Sequence, residues 1–334
     1  MSESQSPQSA PRFSPDNALP PVEPPSATFI LQLFLIPAAI VAIIVCVWLA
    51  FNWLAQRGSD PYDYLQALER DSAVRWQAAV NLADALRDAR HADLKHNRAV
   101  IQRLVAITDR EIDAGLTDED SLKLRVYLCN ALGEFAEPEA VLPVLLKAAS
   151  TQRHESERFV RFAAIKAIAV LLNSSPDFDR RGHREVLDVL LKASDDPEPV
   201  IRSTAAFALG AYGGDEAQQR LERLLNDAYP DVRYNAATTL ARLGNAAAVP
   251  VLVEMLDPKS SAGIAAEEEE GAREYKQTTI YVNALRAAGD LAQSAQAEQF
   301  DTLREAIERL RACHPTGAVD VQARDALRAL DGRK

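Results

Sequence analysis

Cysteine is scarce, with three residues in 334. That is too few for a disulfide-dense scaffold, and Cys46 lies inside an apolar run. Aromatic residues make up only 6% of the chain, while alanine and leucine are abundant, as in cores built from helices. An excess of positive charge is also missing. Thirty-seven Lys and Arg stand against 48 Asp and Glu, a formal charge of −11, which argues against nucleic acid as a partner. Recognisable catalytic constellations are absent as well. Of the five histidines only His91 and His96 are close, and five helical residues turn about 140° away from a shared ligand face. There is no Cys-x-x-Cys and no His-Glu-x-x-His, so neither a metal nor any other cofactor is expected. Gly210, Gly213 and Gly214 resemble a phosphate loop superficially, but they follow a helical pattern and no GK[ST] comes after them. Cys129 reads as a small core residue, and Cys313 beside His314 is not made an activated pair by adjacency. The chain is therefore expected not to be an enzyme.

What the chain does contain begins with a long uncharged stretch. Residues 1–27 are crowded with Pro, Ser and Gln without apolar period, which predicts a disordered tail. From 28 to 55 the sequence reads TFILQLFLIPAAIVAIIVCVWLAFNWLA, and no charge occurs between Glu23 and Arg57. About 20 apolar residues cross a bilayer, so 28–55 is expected to be a single transmembrane helix and the chain's link to a membrane. Trp48, Phe51 and Trp53 stand where aromatic rings favour the interface, and Arg57 follows as a snorkelling anchor. The preceding tail is long and carries one Arg against three acids, unlike the short basic start of a cleaved signal peptide. Arg12 on one side against Arg57, Arg70 and Arg75 on the other leans toward a cytoplasmic carboxyl-terminal part. Residues 56–60 read as a linker, and the bulk of the negative charge falls beyond it.

Beyond residue 60 the sequence repeats itself. VLPVLLKA at 141–148 and VLDVLLKA at 186–193 are nearly identical, and VPVLVEML at 249–256 is a third relative; Pro143 and Pro250 are both expected in a helix's first turn. A second pattern alternates with the first: an apolar residue and Arg, small residues four and five positions on, and an apolar residue at the eighth. It occurs at 74–82, 124–132, 160–168, 201–209 and 232–240, placing arginines at Arg75, Arg125, Arg161, Arg202 and Arg233. Their intervals of 50, 36, 41 and 31 residues suit stacked helix pairs. The small residues share one helical face and let neighbouring helices approach closely. Glycines and prolines, such as Gly133 with Pro138 and Gly213 with Gly214, fall between the periodic stretches and mark turns. An all-α solenoid of about seven helix pairs over 61–332 is predicted, with an acidic insertion at about 258–275.

The segments LNDAYPDVRYNAATTLARLG (225–244) and KASDDPEPVIRSTAAFALG (192–210) resemble the HEAT repeat family, above all its short bacterial form related to the repeats of phycobilisome lyases. In that family an Asp precedes the second helix and an Arg opens it, which Asp196 with Arg202 and Asp227 with Arg233 match. The resemblance is strongest over 137–256. Two units depart from it, since Thr278 stands where Arg is expected and 319–330 has lost the Arg. The arginines have two readings: a basic ladder for an acidic peptide, or structural partners of acids just upstream, namely Asp71, Asp120, Glu157, Asp196 and Asp227. The second is favoured. The run Glu267 to Glu270 reads as a solvated loop, with a contact for a basic partner as the alternative. The function expected is a membrane-anchored scaffold that binds partner proteins; the alternatives are chromophore-lyase-like or other enzyme accessory activity, suggested by the resemblance alone, and an assembly module of an envelope complex.

Overall fold

The computed structural model describes residues 26–56, 60–70, 72, 74–294, 300–314 and 317–332. It divides into two compact units, 1–58 and 59–334.

The described part of the first unit is one helix, α1 (Ala27–Gln56), which continues through Pro37. Within it Leu33–Phe51 has a mean hydropathy of 2.9, long and apolar enough to cross a membrane, and none of it is buried. Trp48 and Phe51 are exposed near its end. The side chain of Trp53, Arg57, and most of the expected disordered tail lie outside the described residues.

The second unit is helical among the described residues: α2 (Pro61–Glu69), α3 (Arg75–Arg87), α4 (Arg98–Ala114), α5 (Glu119–Leu132), α6 (Pro138–Ser150), α7 (Arg158–Ser174), α8 (Arg184–Ala193), α9 (Pro199–Tyr212), α10 (Asp215–Leu224), α11 (Pro230–Arg242), α12 (Val249–Met255), α13 (Glu270–Ser294), α14 (Asp301–Cys313) and α15 (Gly317–Asp331). They form seven consecutive pairs. Odd-numbered helices pack on one another in order from α3 to α15 and make one layer, while α2, α4, α6, α8, α10, α12 and α14 make the other. The odd layer is the tighter, because its faces are small: Ala163, Ala164 and Ala167 on α7, Ala205 and Ala206 on α9, Ala236 and Ala237 on α11 are all buried. Gly133 closes α5 against Ala167 of α7, and Gly210 of α9 lies against Thr239 of α11.

Local chemistry sets the helix ends. Pro61, Pro138, Pro199 and Pro230 open their helices, where a missing N–H costs nothing. Asp60, Asn97 and Asp118 accept hydrogen bonds from the first-turn amides of α2, α4 and α5. Gly213 and Gly214, both at positive φ, make the tight turn from α9 to α10. Two expectations are corrected. Pro250 lies in a first turn, but Pro143 is interior to α6, on its exposed side, because Pro138 already starts the helix. The acidic insertion is not wholly a loop: α13 begins at Glu270, whose charge suits a helix N-terminus.

Candidate functional site

Four of the five signature arginines lie in the first turn of an odd helix and Arg125 lies midway along α5; all turn inward, into the junctions between repeats. Arg75 donates from Nε to the Leu68 carbonyl at 2.8 Å and from Nη2 to Glu111 Oε1 at 2.8 Å. Arg125 is fully buried; it donates to the carbonyl of Leu116 and forms an ion pair with Glu157 at 3.3 Å, which is equally buried. Arg161 pairs with Asp196 at 3.2 Å, and its Nε is buried without a partner. Arg202 grips Asp227 with two parallel bonds of 2.8 and 2.9 Å, and donates to the carbonyls of Asp196 and Pro197 at 2.8 and 3.1 Å. Arg233 repeats that use of its own turn, donating to the carbonyls of Asp227 and Ala228, and reaches Glu254 at 2.5 Å.

One rule covers all five. Where an arginine binds its own repeat it uses backbone carbonyls; its carboxylate comes from the next repeat. The upstream acids proposed as local partners therefore serve the preceding arginine instead. Glu157 holds Arg125, Asp196 holds Arg161 and Asp227 holds Arg202, because the short turn directs each carboxylate back along the array. The same carboxylates also cap their turns: Asp196 accepts from the Glu198 amide and Asp227 from the Tyr229 amide, each at 2.9 Å. Asp71 lies outside the described residues, and Asp120 is exposed. Two partners escaped the sequence reading, Glu111 and Glu254; both stand near the carboxyl ends of even helices, where no repeat pattern marks them.

The electrostatics follow from these contacts. Hydrogen bonds from the Arg202 guanidinium hold the Asp227 carboxyl below its ordinary range, against the opposing effect of burial. For Glu157 burial is the largest influence and pushes upward, but the amide and guanidinium of Arg153 and the amide of His154 outweigh it and the carboxyl is held low. Beyond the array's core, Arg311 and Arg324 lower Asp320 in the last pair, where the signature arginine is missing. Burial pushes the Cys129 thiol up to about 12, far from a reactive thiolate. His314 packs on Tyr281 at 5.5 Å. Among the described residues no group of three His, Cys, Asp or Glu could hold a metal ion.

Comparison with known proteins agrees with this architecture. A family model of HEAT repeats matches residues 187–269, and one of HEAT-like repeats matches 159–212. No curated protein matches the sequence. The karyopherin Kap121p bound to the extreme C-terminus of the protein phosphatase Cdc14p shares the fold at 15% identity, with a TM-score of 0.52 over 84% of this chain. The same karyopherin bound to Nup53p gives 0.51 at 16% identity over 81%. This chain spans only about 30% of the karyopherin's length. The CpcE–CpcF complex of phycocyanin lyase from Nostoc sp. PCC7120 is 19% identical over 82% of this chain and 94% of its own, but its TM-score of 0.46 is too low to carry an inference. The second unit is thus an α-solenoid of stacked helix pairs, whose residues 159–269 match models of HEAT and HEAT-like repeats.

Proposed function

We propose that this protein is a membrane-anchored scaffold that binds partner proteins through its solenoid and carries out no chemistry of its own. The observation that carries the reading is the stack itself: seven pairs, the first six joined by an internal arginine ladder, present a long surface that repeats with the helices, the kind of surface solenoids use for binding. The likeness in fold to a karyopherin bound to other proteins supports it at the level of architecture. The arginines themselves are turned into the junctions, so an acidic peptide is not the ligand they serve.

The membrane part of the proposal rests on Leu33–Phe51. An anchor confines the solenoid to two dimensions and raises its effective concentration toward membrane partners. The excess of basic residues following the span favours a cytoplasmic solenoid over a periplasmic one. Proximity labelling by the full chain should enrich a small set of membrane-associated proteins over a control that carries residues 1–58 alone; identical labelling by both would overturn the scaffold. Protease added to spheroplasts should leave the solenoid uncut; digestion would overturn this orientation.

A further inference from the structure

The two edges of the solenoid differ in what they show to solvent. One edge holds the turns within pairs, from the one that ends at Val74 through 115–118, 151–157, 194–198, 225–229 and 256–269; the other holds the turns between pairs. Exposed large apolar side chains gather on the first. Val74, Leu116, Phe159, Val200, Tyr229 and Tyr275 all flank the amino-terminal ends of odd helices, one from each of the first six repeats, and each is about half exposed or more. In the turns between pairs the comparable residues are turned in: Leu94 and Phe135 are buried and Phe178 is half-buried.

The apolar residues recur one per repeat along this edge, and polar contacts tie the second to the fifth turns together. Arg153 donates to the carbonyls of Ile112 and Asp113, Arg158 lies 3.8 Å from Glu198, and Arg202 lies over the Tyr229 ring at 5.4 Å. Between the first two turns the edge dips into a hollow of about 260 Å³, with Trp76, Leu116 and Leu124 for its apolar lining and Arg75, Glu111, Asp118 and Asp120 for its charged one.

Charge selects the occupant. Turns two to six each contain more carboxylates than Lys and Arg. Once the ladder acids are matched to their arginines, Asp118, Asp120 and the run from Glu268 to Glu270 are exposed with no ion pair among the described residues, while Glu198 pairs with Arg158, and Lys276 serves both Asp231 and Glu267. An apolar edge of this sign repels anionic lipid headgroups and attracts lysine and arginine.

We propose that this edge, from Val74 to Tyr275, is the solenoid's docking surface, and that its occupant is an extended protein segment in which basic and apolar side chains alternate. Apolar side chains of the segment cover the exposed residues one repeat at a time, and its basic side chains meet the carboxylates between them. This deepens the scaffold reading and rests on it.

The test uses the full chain in nanodiscs of zwitterionic lipid and three synthetic twelve-residue peptides, alternating Lys-Val, Lys-Ser and Glu-Val. Lys-Val should bind tightest, and the triple variant Phe159→Ser, Val200→Ser, Tyr229→Ser should weaken it tenfold or more. The pair Asp120→Lys with Asp231→Lys, which leaves every apolar residue in place, should do the same and abolish the salt dependence of binding. Unchanged circular dichroism shows that both variants fold. Equal affinity of Lys-Val for wild type and both variants, or tighter binding of Glu-Val, overturns the edge. If the variants fail this way while the full chain still labels more proteins than residues 1–58, the scaffold stands and only its docking surface is wrong; loss of both overturns both.

Discussion

A buried guanidinium is tolerated only where a carboxylate and enough acceptors replace the water it has lost, and Arg125 meets that condition through Glu157 and the Leu116 carbonyl. Removing Glu157 strands the buried Arg125 guanidinium, whereas removing Arg125 leaves Glu157 with Arg153 at 3.0 Å. Glu157→Leu is expected to lower the stability of the full chain in detergent by about 3–5 kcal/mol, whereas Arg125→Met combined with Glu157→Leu should cost less, since the buried guanidinium is then gone as well. Urea titrations followed by circular dichroism read both, and equal losses in the single and double variants would count against the pairing. The same chemistry fixes a pH dependence. Asp227 and Glu157 titrate lower in the folded chain than the roughly 4 of free carboxylates, so their contribution is complete above about pH 5 and is lost as the pH falls through 4 toward their folded values. The urea midpoint of the wild type should therefore drop between pH 6 and 3. Asp227→Asn, less stable at pH 6, should drop less over the same range; parallel curves would show that Asp227 is not a source of the acid sensitivity.

At the scale of the helix, close packing depends on the smallest side chains. A Cβ on Gly210 would sit 2.2 Å from the Thr239 methyl group across the α9–α11 contact, and both residues lie between helices that cannot part without opening the layer. Gly210→Ala is expected to destabilise by about 1–3 kcal/mol, with partial recovery in combination with Thr239→Ala, as measured by thermal melting. No loss in the single variant would mean that the layer yields at this point. Such elements were legible in the sequence because helix-pair repeats leave a period: the two octapeptides, the small residues after each arginine, and breakers such as Gly213 with Gly214 mark the pairs and their turns. The ladder was only half legible. Its arginines stand out by spacing, but their acids lie 21 to 36 residues further along the chain, and which carboxylate arrives depends on how one pair sits on the next. Glu111 and Glu254 carry no local mark at all. Pro143 and Glu270 were misplaced for a related reason, since Pro138 and the length of α13, not local preference, decide where those helices begin.

On the scale of the whole solenoid, each repeat touches only its neighbours, so stability is a sum of repeat terms and junction terms. The ladder strengthens the junctions in particular, because every signature arginine is held by the repeat after it. Cutting one rung should therefore weaken the array at one place. Asp227→Ala frees the Arg202 guanidinium at the junction between the fourth and fifth pairs and removes its buried rung, leaving the more exposed Arg184–Glu216 and Arg220–Asp195 ion pairs, the Asn235–Ser203 hydrogen bond and apolar packing to hold α10–α15 to the rest. Those three pairs contain one signature arginine, Arg233, against four in the first four pairs, so they are the weaker block. Hydrogen exchange on the full chain should show protection in α10–α15 falling by up to about a hundredfold, the equivalent of roughly 3 kcal/mol, while α2–α7 changes by less than tenfold. A fall of the same size in every helix would mean instead that the seven pairs open as one cooperative unit, and that the rungs distribute their energy over the whole array and not between neighbours.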